Sequence, residues 1–457
     1  MTAVSRTAPV AIVAGDVVGA SMAGPGIRAW EIARSLADEF PVVLAAPAVN
    51  GDDAPGFRVV AYARNRRAAL SSVVRDARLI VVQGTVLAFS PWIADANVPL
   101  VVDLYDPFHL ESLHLFSRNS PGYQRLRHSF DLSIIQQQLR EGDFFVCASE
   151  QQRHFWLGML SSLGRVGPAG YRRDPTFRAL IDVVPFGIPR EAPQHTRPVL
   201  KGCYPGIGAD DQVLLWGGGL WEWLDPLLLI RAARRLRSDY PRLKVFFMGT
   251  RRPGGGAAGA LLVDAAQRLT RELNLEDVVL FNDWVEYRDR QNFLLESDIG
   301  VSLSKDHLEN TFAFRTRMLD YMWCCLPIVC TNGDATADLV ERHGLGVTLP
   351  PSDEDQLVLA LKRLLDDPGG RNGRRQRFEA LREQLSWMQA TRPLREFARQ
   401  PELRRDRQTG QVSRLLHMAL KRSRRGLWLM QAARVSYATG GTQGFLRDLA
   451  RMWGKRV

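Results

Sequence analysis

The stretch 309–320 reads Glu-Asn-Thr-Phe-Ala-Phe-Arg-Thr-Arg-Met-Leu-Asp, and its charges are spaced to do chemistry. If a helix opens at Arg315, Arg317 and Asp320 are three apart and share a face. A carboxylate for ribose hydroxyls beside cations for phosphate is what holding a nucleoside diphosphate takes. Glu309 is the nearest further acid. Three other places carry groups of the same kind. Gly217, Gly218 and Gly219, followed by Trp221, form a Gly-rich turn suited to an anion. Gly24, Gly26 and Arg28 stand where a second loop runs into a helix, whose N-terminus attracts phosphate. Arg251 and Arg252 follow an apolar run and could meet a diphosphate. Asp103, Asp106 and His109 are candidate acid–base groups for a second substrate, with Asp106 and His109 the candidate bases.

These residues have one position in common: each follows a predicted strand. Short apolar runs at 9–14, 42–46, 59–62, 79–83, 100–104 and 144–148 alternate with helical patterns. The alternation pauses at 182–211, a Pro- and Gly-rich stretch read as a linker. It restarts with strands at 213–216, 244–248, 278–281, 299–303 and 327–331, and with helices at 226–240, 257–273, 315–323 and 353–365, the last capped by Ser352. The predicted class is therefore α/β: two Rossmann-like doubly wound domains facing a cleft, plus a basic C-terminal helical tail. The expected boundaries are 1–188 for the first domain, 189–370 for the second, 371–400 for crossover helices and 401–457 for the tail. A length of 457 residues, 46% of them hydrophobic and 24% charged, suits two buried cores.

The block 184–365 resembles the family 4 (group 1) glycosyltransferases of the GT-B kind. The resemblance rests on Val-Pro-Phe-Gly-Ile-Pro from Val184, the glycines 217–219, Phe-Asn-Asp-Trp-Val-Glu-Tyr at 281–287, Ser-Asp-Ile-Gly-Val-Ser at 297–302, and Leu-Asp-Tyr-Met-Trp-Cys-Cys-Leu-Pro-Ile-Val-Cys-Thr at 319–331. It implies that Asp320 stands for the glutamate that holds the donor ribose. It also implies that the main chain at Val285, after Trp284, reads the base, and that Gly24 to Gly26 approach the donor phosphates. Transfer from a nucleotide-sugar substrate, with retention, without cofactor and without metal, is what the resemblance further implies. This branch is atypical. Gly219 and Leu224 occupy the places of the usual diphosphate Arg and Lys, and Phe312 that of the first glutamate. We expect Arg315, Arg317 and Arg251 to supply the charge and Glu309 to replace the carboxylate. The D-x-D string Asp353-Glu-Asp355 is expected to be a helix start and not a metal site. A degenerate non-catalytic binding subunit and a nucleotide-sugar epimerase on the same fold are the competing readings.

The net charge of +11 is concentrated in the tail. From Pro401 onward, thirteen Lys and Arg face three Asp and Glu. Leu415, Leu416, Trp428, Phe445, Leu449 and Trp453 recur beside Arg414, Lys421, Arg422, Arg447 and Arg451 in the pattern of cationic amphipathic helices. The expected partner is an anionic membrane surface, not nucleic acid, and the acceptor a glycan or lipid-linked molecule held there. Five cysteines without a C-x-x-C pair, and no leader-like or membrane-spanning run, point to a cytoplasmic protein, peripheral at the inner face of the cell membrane.

Overall fold

Val10–Val13, Val42–Ala46 and Leu79–Gln83 are buried at every position, an environment found in strands covered on both faces by helices. The computed structural model describes residues 8–50, 56–63, 67–252, 259–367 and 370–404. Its first sheet contains β1 (Val10–Val13), β2 (Val42–Ala46), β3 (Arg58–Ala61), β4 (Leu79–Gln83), β5 (Leu100–Asp103), β6 (Phe144–Cys147) and β7 (Ile181–Val183). They lie in the order β3-β2-β1-β4-β5-β6-β7, all parallel, with Val10 paired to Val42 on one side and Leu79 on the other.

The second sheet repeats the plan with β8 (Gln212–Trp216), β9 (Leu243–Phe247), β10 (Val279–Phe281), β11 (Ile299–Ser302), β12 (Ile328–Thr331) and β13 (Gly346–Leu349). Its order is β10-β9-β8-β11-β12-β13, again parallel throughout. In each sheet the order reverses beside the first strand, so the loops after β1 and β8 stand at the switch points where open α/β sheets bind ligands.

Several sequence expectations are corrected. Residues 182–211 are not simply a linker: β7 takes Ile181–Val183, and the Glu296 carboxylate then accepts from the backbone N–H groups of Val199, Leu200 and Lys201, fixing the remainder to the second domain. Ser352 does not cap its helix. Asp353 does, its Oδ1 accepting from Gln356 N at 2.9 Å, while Ser352 sits at φ +59°. Strand β13 and the helices Phe108–Leu115, Pro121–Glu141 and Glu150–Ser162 are additional.

The last helices of the described residues return to the first domain. Ile188 and Ser386 form a parallel bridge, and Ser35 Oγ lies 2.5 Å from Thr391 Oγ1. On the helix Arg392–Arg399, Phe397 stacks on Phe144 and Arg395 and Arg399 clamp Glu39. One apolar core thus runs from Ile12 and Leu44 through Phe186 and Trp387 to Met318 and Ile328. All five cysteines are free. No helix among the described residues is long and apolar enough to cross a membrane. The predicted tail helices lie outside the described residues.

Candidate active site

The turn after β8 is shaped by Tyr321. Its buried hydroxyl accepts from Gly217 N at 2.7 Å and lies 3.0 and 3.1 Å from the carbonyls of Val301 and Leu215. Gly218 then takes φ +105°, a conformation that favours glycine. Arg317 closes the turn. Its Nη2 donates to Gly219 O at 2.8 Å and its guanidinium lies 4.8 Å over the Trp216 ring. Its Nη1 is buried with no hydrogen-bond partner. Among the described residues no carboxylate pairs with Arg317, and burial pulls its pKa down to about 10. A half-buried cation with no carboxylate beside it, next to a glycine turn, is chemically suited to an anion.

Gly249 packs between this turn and the next loop. A side chain there would lie 3.5 Å from the Trp284 ring and 3.7 Å from the Gly218 carbonyl carbon. Trp284 Nε1 is likewise buried without a partner. Neither the N–H nor the C=O of Val285 is hydrogen-bonded within the described residues. Asp320 keeps 30% of its side chain exposed while Oδ1 accepts from Arg290 Nε at 2.9 Å. Arg290 stacks between Tyr287 and Trp323 at 3.6 and 4.8 Å, a positioning role that sequence reasoning missed. Gly24 opens the facing helix Gly24–Ala37 without a side-chain cap or an acidic first turn, and nothing stands within 4 Å of where its side chain would be.

Other expected site residues are placed differently. Arg28 is wholly buried. Its Nε and Nη2 form a bidentate pair with Asp103 at 2.7 and 2.9 Å, Nη2 also donates to Val184 O, and Tyr105 and Phe186 cover its faces. It therefore braces the first domain against the linker, because a guanidinium taken out of water must be paired. Gly26 serves backbone packing, since a Cβ there would meet Val17 O at 2.1 Å. Arg315 and Glu309 neutralise each other at 3.0 and 2.7 Å, with Asp334 at 3.8 Å from Arg315, so Arg315 is not a free phosphate cation. Arg251 is exposed, and it is Arg252 that reaches into the cleft. Trp221 stacks on Trp223 at 5.7 Å, with its ring edge against Gly219. His109 lies 4% exposed among Phe108, Phe155 and Trp156, and burial lowers its pKa to about 4. It is an embedded neutral imidazole and not a base in the cleft.

A second centre forms where the helices Phe108–Leu115 and Leu308–Phe312 meet. Burial raises the Asp106 carboxyl to about 7, with Glu309 and Asp103 pushing the same way against Arg315. Burial, Asp106 and Glu309 also raise Glu111. His114 and His307 face each other across the domains with ring centres 4.1 Å apart. Phe312 packs on Phe155 at 4.7 Å, and Gln152 donates to Phe312 O and Tyr105 O at 2.8 Å each, bolting the domains together at this end.

The comparisons agree with this architecture. Residues 211–367 match the model of the family described as Glycosyl transferases group 1. A D-inositol 3-phosphate glycosyltransferase of Kineococcus radiotolerans is 28% identical over 231 residues, 48% of this chain and 50% of that protein. The chain thus matches only half the length of this curated relative. Two solved structures are similar in shape. An Anabaena protein, HepE, in complex with UDP-glucose superposes with a TM-score of 0.61 at 16% identity, over 85% of this chain and 98% of that one. Sucrose-phosphate synthase from Thermosynechococcus elongatus gives 0.59 at 17% identity, over 86% and 98%. The fold is that of the GT-B glycosyltransferases.

Proposed function

We propose that the chain transfers a sugar from a nucleoside-diphosphate sugar to a hydroxyl of a glycan or lipid-linked acceptor. The observation that carries this reading is Arg317 Nη1, buried and unpartnered, beside the glycine turn at the second domain's switch point. The match of residues 211–367 to a glycosyltransferase family supports it. Arg317 and the backbone N–H groups of the turn take the charge of the departing diphosphate, stabilisation of the kind preorganised dipoles provide. We propose that this transfer proceeds without a divalent metal or cofactor and with retention at the anomeric carbon. Asp320, held by Arg290, takes the ribose hydroxyls, and the Val285 main chain takes the base. Asp106 and Glu111, with Glu309 behind them, border the acceptor. Such acceptors are held at the bilayer, so we place the protein in the cytoplasm, peripheral at an anionic membrane through its tail.

Arg317→Ala tests the donor site. A charge-assisted hydrogen bond contributes ~1.5–3 kcal/mol, so donor affinity should fall roughly 10- to 100-fold by isothermal titration. Unchanged affinity would sink the assignment. Release of free nucleoside diphosphate only upon acceptor addition, in buffer containing EDTA, separates transfer from epimerisation and from mere binding.

A further inference from the structure

Arg252 is the side chain that joins the two domains above the glycine turn. Its Nη1 donates to Asp16 Oδ2 at 2.8 Å and its Nε to Ser21 O at 3.2 Å, both in the loop after β1. The remaining nitrogen, Nη2, is buried and has no partner. Asp16 is committed as well: its Oδ1 accepts from Val17 N at 2.8 Å and so shapes the loop that leads to Gly24. The strand end that carries Arg252 is fixed by Thr250 N to Asn282 O at 3.0 Å and Arg251 N to Asp283 O at 2.8 Å. Tyr287 grips the same first-domain loop through its N–H to Ala20 O at 3.3 Å, and the helix after it through its hydroxyl to Glu31 at 3.1 Å. Gly249, three residues before Arg252, touches both Trp284 and the Gly218 turn. Arg252 Nη2, Trp284 Nε1 and Arg317 Nη1 are all buried donors without acceptors; Trp284 and Arg317 flank the Gly249–Gly218 contact, and Arg252 stands three residues beyond Gly249.

Resting on the donor reading above, we propose that Arg252 is a latch. Two of its nitrogens hold the first domain's loop, and the third receives a phosphoryl oxygen of the nucleoside diphosphate bound to the second domain. One planar fork then reads the ligand and the closed domain arrangement together, which a lysine point charge cannot do. Asp16 is the positioning residue. It touches no ligand but aims the fork and brings the Gly24 helix N-terminus over the phosphates. Neither Gly219 nor Leu224 carries charge, so Arg252 supplies a cation from the loop after β9 and Arg317 one from the helix Thr316–Trp323.

The test titrates UDP, GDP and ADP, and the matching monophosphates, into the full-length protein and its variants by calorimetry, alongside steady-state transfer rates. Arg252→Ala should weaken the bound diphosphate roughly 10- to 100-fold while leaving the monophosphate within a few-fold, and Arg252→Lys should restore only part of the loss. Asp16→Asn leaves the cation in place. It should keep diphosphate affinity within a few-fold but lower kcat roughly tenfold or more, because the first domain no longer travels with the donor. The Asp16–Arg252 pair is only partly buried, with 26% and 20% of the side chains exposed, so both variants should fold. Wild-type affinity in Arg252→Ala, or equal losses of affinity and kcat in Asp16→Asn, would overturn the latch. If Arg317→Ala weakens the diphosphate and Arg252→Ala does not, the latch fails and the donor site stands. If no diphosphate binds the wild-type protein, the donor reading fails and the latch with it.

Discussion

Arg28, Arg315 and Arg317 differ little as letters in the sequence, and the structure gives them three different tasks. Arg28 spends its charge on Asp103 and Arg315 spends its charge on Glu309, each within a buried bidentate pair. Each of the three keeps one buried nitrogen without a hydrogen-bond partner, but of the three Arg317 alone has no carboxylate beside it among the described residues, its neighbours being a carbonyl and an indole face. The difference follows from which carboxylate the fold brings within reach, since two charges removed from water must find each other. Asp106 shows the converse case, a carboxyl crowded by like charges. Its folded-state value of about 7 lies above the ordinary 3.8, so the native state holds the proton more tightly than the unfolded chain. Stability is therefore lost as pH rises from about 4 through 7. Asp106→Asn should raise Tm at pH 8 and leave it nearly unchanged at pH 4. A Tm difference independent of pH would show that the carboxyl is not raised. If Asp106 also accepts the acceptor's proton, the same variant should lose the rise of kcat/KM through pH 7.

At the scale of elements, the site is made by strand ends and by one helix packed behind them. The helix Thr316–Trp323 is amphipathic: Met318, Leu319, Tyr321 and Met322 face the core, and Arg317 and Asp320 point toward the cleft edge. Tyr321 crosses under β8 and β11, and Gly300 is needed because a Cβ there would lie 2.6 Å from the Tyr321 ring. Its hydroxyl is the partner of Gly217 N–H. Tyr321→Phe should therefore destabilise the protein by about 1–3 kcal/mol, the cost of a buried polar group left unsatisfied. Chemical denaturation measures this. A donor affinity that falls in the same variant would show that the turn needs Gly217 anchored in order to bind.

Over the whole molecule, the two domains meet at both ends of the cleft by different means. The donor end uses hydrogen bonds and an ion pair, Arg252 with Asp16 and Tyr287 with Ala20. The acceptor end uses aromatic packing, Phe312 on Phe155, with Gln152 as a clasp. Polar contacts in a partly wet cleft exchange with water and can reset when a ligand enters, whereas packed rings resist movement. The return of helix Arg392–Arg399 to the first domain leaves Arg404 N donating to Asp143 Oδ1, so the opening residues of the expected 401–457 tail still pack on the described fold. A chain truncated after Arg404 should keep the Tm and donor affinity of the full chain. It should no longer sediment with vesicles containing phosphatidylglycerol, and cosedimentation equal to that of the full chain would remove the tail from the membrane proposal.

The sequence by itself determined the α/β plan with its two parallel sheets, and it named the strand ends from which the proposed donor site is drawn. Buried strands separated by amphipathic helices leave a local pattern, and so does a glycine turn at a strand end. The start of β1 and the glycines before the Gly24 helix were legible for that reason, and Arg317, Asp320 and the Trp284–Val285 loop were legible as candidates. What only the tertiary structure decided is which charges are spent. Arg28 and Asp103 are far apart in sequence, and nothing local announces that they neutralise each other. Arg251 and Arg252 are adjacent and chemically identical, yet one faces solvent and the other faces Asp16. His109 has a base's side chain, but aromatic neighbours from distant elements keep it neutral. Pairing and desolvation depend on distances across the fold, and periodicity along the chain does not encode them.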